Sequence, residues 1–74
     1  RIENLQDPQE HVAKVLEHVK REYISRTYGI AEWDDYLDFL SKLAVKTGKL
    51  LKKGEADTAT AAKMVLYDWT RGRI

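Results

Sequence analysis

Five lysines, Lys42, Lys46, Lys49, Lys52 and Lys53, fall between positions 42 and 53, a stretch with no acidic residue. Spacings of 4, 3 and 4 put Lys42, Lys46, Lys49 and Lys53 on one face of a helix. Like charges one turn apart repel by a few tenths of a kcal/mol each, so the row does nothing for the helix itself. A nucleic-acid backbone reverses that cost, because each lysine that meets a phosphate releases a condensed counterion. A solvated face explains the same row, and spacing alone leaves both readings open. Farther along, Lys63, Tyr67 and Arg71 recur at intervals of four. A tyrosine between two cations suits stacking on an unpaired base, or packing on a neighbouring protein domain.

Other chemistries fare worse. His11 and His18 share a helix face, but seven residues separate them by about 10.5 Å, too far for one metal ion; they read as solvated flank residues. Asp34, Asp35 and Asp38 have the spacing of a cation site, yet the positive end of a helix dipole collects carboxylates by itself, and capping is the better reading. Thr47-Gly48-Lys49 has the ending of a phosphate loop, but Leu43 stands where the first glycine is needed and Leu50 where Ser or Thr is needed. No nucleophile with a base nearby is visible, so neither catalytic residues, nor a cofactor site, nor a metal site is expected within these residues.

The elements that must position these groups follow the helical period. The sequence predicts an all-α fold: a small bundle of three to four amphipathic helices forming one module over 1–74. Asp7, Pro8 and Glu10 form a capping-box start, and Val12, Val15, Leu16, Val19 and Tyr23 give an apolar stripe. This first helix is expected to run to about Thr27, with a kink near Arg21 and a stop at Tyr28-Gly29. A second helix is expected from Asp34 through Gly48 to about Lys52, burying Trp33, Tyr36, Leu37, Leu40, Leu43, Ala44, Thr47 and Leu51. Gly54-Glu55-Ala56 connects to a third, capped by Asp57 and closed at Gly72, with Ala61, Ala62, Val65, Leu66 and Trp69 inside.

Composition agrees. The chain has 74 residues, 43% of them hydrophobic, no cysteine and a net charge of +1. Disulfides are thus excluded, and no apolar run approaches the roughly 20 residues that span a bilayer. No signal-peptide pattern opens the chain, which reads as an excerpt of something longer. The small net charge conceals an asymmetry: residues 1–41 carry 5 basic and 9 acidic side chains, residues 42–74 carry 8 and 3. The second half is therefore the one suited to a polyanion.

The order of segments also resembles a known family. Arg1-Ile2-Glu3-Asn4 with Asp7-Pro8, Glu22-Tyr23-Ile24 with Thr27-Tyr28, Trp33-Asp34-Asp35 and Asp38-Phe39-Leu40 come first. Thr47-Gly48-Lys49-Leu50-Leu51-Lys52, Gly54-Glu55, Lys63-Met64-Val65-Leu66, Asp68-Trp69 and Arg71-Gly72-Arg73-Ile74 follow. Together they resemble the region after the G domain in the circularly permuted GTPases of the YlqF/YawG class, which act in assembly of the large (60S) ribosomal subunit. Two positions depart from the family pattern: Lys53-Gly54-Glu55-Ala56-Asp57 replaces a Gly-Gly-Glu-Pro-Asp connector, and Tyr67 replaces a small polar residue.

The resemblance implies a nucleolar or nuclear protein whose upstream G domain binds GTP and magnesium and hydrolyses GTP. It implies ribosomal RNA and pre-60S proteins as partners, and no membrane. Lys49, Lys52, Arg71 and Arg73 match basic positions of the family. With Lys42, Lys46, Lys53, Lys63 and Tyr67 from spacing, they are the RNA-binding candidates. The competing expectation is a protein-interaction or structural module that braces the G domain without touching RNA.

Overall fold

The structure is a computed structural model, and it describes residues 6–74; the Arg1–Asn4 part of the family pattern lies outside the described residues. Four helices follow one another: α1 (Pro8–His18), α2 (Arg21–Tyr28), α3 (Tyr36–Lys46) and α4 (Thr58–Thr70). The all-α bundle is the fold the periodicity predicts. α4 packs against both α1 and α3, which also touch each other. No helix among the described residues is long and apolar enough to cross a membrane.

α1 starts at Pro8 as predicted, but without the capping box. Asp7 is left-handed, with φ of 51°, and its carboxylate makes no capping bond. A capping side chain reaches the first-turn amides from extended backbone, which Asp7 does not have. Its carbonyl instead accepts from Glu10 N–H at 3.0 Å.

The expected single helix to Thr27 is two helices. Val19 and Lys20 are extended, with ψ of 138° and 136°, which is a break and not a kink. The break changes which residue reaches the interior. Ile24 is fully buried, whereas Tyr23, which the continuous stripe would bury, is 44% exposed and donates its hydroxyl hydrogen to the Arg73 carbonyl. An aliphatic side chain leaves no hydroxyl to satisfy in the core.

α3 begins two residues later than expected and ends at Lys46. Asp35 caps it, its carboxylate accepting from Asp38 N–H at 2.8 Å, while the Asp38 carboxylate accepts from Asp34 N–H at 2.9 Å. Continuation through Gly48 to Lys52 does not occur. Gly48 has φ of 73°, Lys49 N–H reaches back to Ala44 C=O at 2.8 Å and Gly48 N–H to Val45 C=O at 3.2 Å. This paired closure satisfies carbonyls that a helix end otherwise leaves open, and glycine adopts the required conformation without the Cβ penalty. The chain then folds into a small hairpin, with Leu50 bridged to Ala56 and Leu51 N–H donating to Glu55 C=O at 2.8 Å.

The core contains Val12, Val15, Ile24, Ile30, Trp33, Phe39, Leu40, Leu43, Ala44, Ala61, Ala62, Val65 and Leu66. Phe39 is its centre: Trp33 meets it edge-on at 4.9 Å and Tyr28 at 5.8 Å between ring centroids. The Arg21 guanidinium lies 4.0 Å over the Trp33 ring and donates to the Trp33 carbonyl. Besides Tyr23, four residues predicted inside are exposed: Leu37 and Leu51 (46% and 49%), Trp69 (40%) and Thr47. Leu51 left the interior when α3 stopped. Leu37 and Trp69 sit on flanks of their helices that the other elements do not cover.

Candidate nucleic-acid interface

The lysine row does not survive as one helix face, because α3 ends inside it. Lys42 donates to the Glu32 carbonyl at 2.9 Å and pairs with the Asp38 carboxylate at 3.1 Å. Lys46 donates to the Gly29 carbonyl at 2.8 Å, at the C-terminal end of α2. These two cations bind α3 to the chain that precedes it. Lys52 and Lys53 occupy the exposed tip of the hairpin, in a turn closed by Gly54 N–H donating to Leu51 C=O at 2.8 Å.

Lys49 stands apart from both groups. Its N–H is held by the Ala44 carbonyl, and its own carbonyl accepts from Asp57 N–H, each at 2.8 Å. Fixed from both sides, it faces α4 and joins the second predicted row. Lys63 and Tyr67 share a face of α4, Arg71 follows as its C-cap residue, and with Lys49, Thr60, Met64 and Asp68 they line an open groove of about 520 Å³. The Arg71 guanidinium lies 5.3 Å from the Tyr67 ring centre. Arg73 lies exposed just beyond the helix end. The one acid in the groove is engaged: the Asp68 carboxylate accepts from Tyr28 O–H at 2.7 Å. Burial first, and then this bond to a carboxylate, push the Tyr28 phenol well above its usual range.

The structure thus brings together four candidates (Lys49, Lys63, Tyr67 and Arg71), leaves Lys52, Lys53 and Arg73 exposed nearby in sequence, and ties Lys42 and Lys46 into the fold. Sequence reasoning missed Thr60 and Met64 as lining residues. Their positions one turn from Lys63 and Tyr67 were the available signal. It also had no means of seeing Lys49 fold back towards α4, since that depends on Gly48 reversing the chain.

The remaining candidates behave as capping and flank residues. The backbone N–H of Asp34, and then Lys42, hold the Asp38 carboxyl below the usual range. His11 and His18 flank a shallow, mainly apolar groove at the α1–α4 junction, beside Trp69. No group of three or more His, Cys, Asp or Glu among the described residues could hold a metal ion. Residues 43–50 do not fit a nucleotide either: the Gly48 and Lys49 amides, which a phosphate loop turns towards its ligand, both point back to α3 carbonyls.

No family model matches the chain. Curated relatives match over all of it. An Arabidopsis thaliana protein named "Nuclear/nucleolar GTPase 2" is 53% identical over 74 residues, covering 100% of this chain and 13% of that protein. "Nucleolar GTP-binding protein 2" of Schizosaccharomyces pombe is 49% identical over the same 74 residues, which are 14% of its length. The protein of that name in Neurospora crassa is 46% identical over 12% of its length. Identity at this level over the whole chain makes it homologous to one segment of proteins named as nuclear or nucleolar GTPases and GTP-binding proteins. In particular, the two fungal relatives carry the name nucleolar GTP-binding protein 2 and the plant one nuclear/nucleolar GTPase 2, and the chain spans about one seventh of their length or less. The nuclear or nucleolar setting expected from the sequence is the one these names carry.

Proposed function

We propose that this chain is the RNA-docking helical region of a GTP-binding and GTP-hydrolysing protein that works in the nucleolus on assembly of the large ribosomal subunit. Upstream of it in the parent protein stands the G domain, which binds GTP and magnesium. The helical region touches ribosomal RNA and neighbouring pre-60S proteins, so that nucleotide state is coupled to particle maturation. The observation that carries this reading is the convergence of Lys49, Lys63 and Arg71 on one groove, with Lys52 and Lys53 on the adjacent hairpin. Positive groups gathered from separate segments on one surface attract a phosphate backbone, and the effect is independent of sequence.

The test is binding of the full-length protein to large-subunit rRNA fragments at increasing salt. Changing Lys49, Lys53 and Lys63 to Glu together should remove most of the affinity and flatten the salt slope, while the circular dichroism spectrum stays that of the parent. A variant that keeps the parent's slope refutes RNA docking by this surface. The second reading, a module that braces the G domain through protein contact, draws support from the half-exposed Leu37, Val45 and Trp69. It predicts that polar substitutions there, and not the changes to the lysines, uncouple the segment from the G domain.

A further inference from the structure

We propose that the groove between Lys49 and α4 receives one unpaired nucleotide of an RNA strand, its base against Tyr67 and its phosphates among Lys49, Lys63 and Arg71. The inference rests on the RNA reading above and makes it specific to a single-stranded element. A surface that only follows a duplex backbone needs charge and little else. This groove combines charge with a ring and an apolar wall: Tyr67 and Met64 lie between the cations.

Helix geometry sets the spacing. Four residues advance about 6 Å along α4, so Lys63 and Arg71 stand about 12 Å apart with the ring midway. A base laid at the ring would thus have a cation on either side for the phosphates that flank it. Lys49 approaches from the other segment, its backbone fixed at both its amide and its carbonyl, so the root of its side chain is held beside α4. The groove, at about 520 Å³, is within the range of ~300–1,000 Å³ that holds small ligands.

Arg71 completes the arrangement. Its guanidinium is 5.3 Å from the Tyr67 ring, compared with 4.0 Å for Arg21 on Trp33, and it extends from the exposed end of the helix. It is placed to shift and cover a base, since guanidinium planes stack on bases as rings do. Asp68 keeps its negative charge but is held by the Tyr28 hydroxyl at 2.7 Å, and three cations outnumber it in the groove.

The test uses the full-length protein with a short oligouridylate carrying one 2-aminopurine, and a duplex of equal length as competitor. Tyr67→Leu should weaken single-strand binding by roughly 5- to 100-fold, the range for loss of one stacked base, and abolish the fluorescence change of the 2-aminopurine. Tyr67→Phe should stay within about twofold of the parent, and duplex affinity should not respond to either change. If Tyr67→Leu alters duplex and single strand equally, or neither, while the Lys49, Lys53 and Lys63 variant still loses rRNA, the nucleotide groove is overturned and the RNA face stands. If that triple variant also binds normally, both readings fall. Circular dichroism of Tyr67→Leu matching that of Tyr67→Phe assigns its loss of binding to the groove, and loss of helical signal in Tyr67→Leu alone refutes the assignment by making the ring a packing group.

Discussion

Replacing Gly29 with alanine perturbs two things at once, and the structure separates them. Gly29 has φ of 69°, where an L side chain costs about 1–2 kcal/mol. The stiffer unfolded chain of alanine returns about 0.4–1 kcal/mol of that. The new Cβ would also lie 2.5 Å from the Lys46 Nζ. That atom is the end of a flexible side chain, so it swings away and its bond to the Gly29 carbonyl is lost. For an exposed bond of this kind the loss is about 0.5–1 kcal/mol. The total is about 1.5 kcal/mol, and about half of it depends on Lys46. Urea unfolding of Gly29→Ala, Lys46→Met and the double variant, followed by Trp33 fluorescence, measures the split. The double variant should be more stable than the two single changes summed by about 0.5–1 kcal/mol, because the lost bond is then counted once. In a chain of this size 1 kcal/mol moves the Tm by about 4–8 °C, well within resolution. Additivity within about 0.3 kcal/mol would refute the role given to Lys46, and with it the division of the lysines into structural and RNA-facing groups.

Phe39→Ala should cost about 3–5 kcal/mol and leave the chain largely unfolded by circular dichroism, since Phe39 is fully buried between Trp33 and Tyr28; a folded variant would show that the aromatic group is not the centre of the core. Gly48→Ala, with nothing within 4 Å of the new Cβ, should cost only the left-handed strain of about 1 kcal/mol. With the reversal kept, Lys49 stays in the groove and RNA binding should be unchanged, read in the same rRNA titration. Stability should fall at both ends of the pH scale. The Asp38 and Asp57 carboxyls are held below the usual 3.8, by the Asp34 N–H and Lys42 and by Thr60 respectively, so their contribution is present above about pH 4 and lost as they protonate below it. Tyr28 is shifted upward from about 10, so its contribution is full below pH 10 and lost as pH rises beyond it. Tyr28→Phe should remove the alkaline limb of a urea midpoint against pH curve and leave the acid limb intact.

The residues themselves settled the class of fold, because apolar groups at helical spacing have nowhere to go but one face each. Pro8, Gly29, Asp57 and Gly72 marked ends for local reasons, φ preference and side-chain acceptance, and the structure keeps all four. The row of Lys63, Tyr67 and Arg71 was equally legible, since α4 runs unbroken beneath the first two and Arg71 caps its end. Tertiary structure decided the rest. Whether a stripe continues through Gly48, or through Val19, depends on which of two placements buries more apolar surface once other helices are present, and periodicity within one segment carries no information about them. Val19 and Lys20 turn extended so that Ile24 fills the core in place of Tyr23, and Gly48 reverses the chain so that the hairpin forms and Lys49 meets α4. The same two decisions converted a row of five lysines into two struts, a hairpin tip and one wall of a groove, since a charge has the neighbours its backbone gives it.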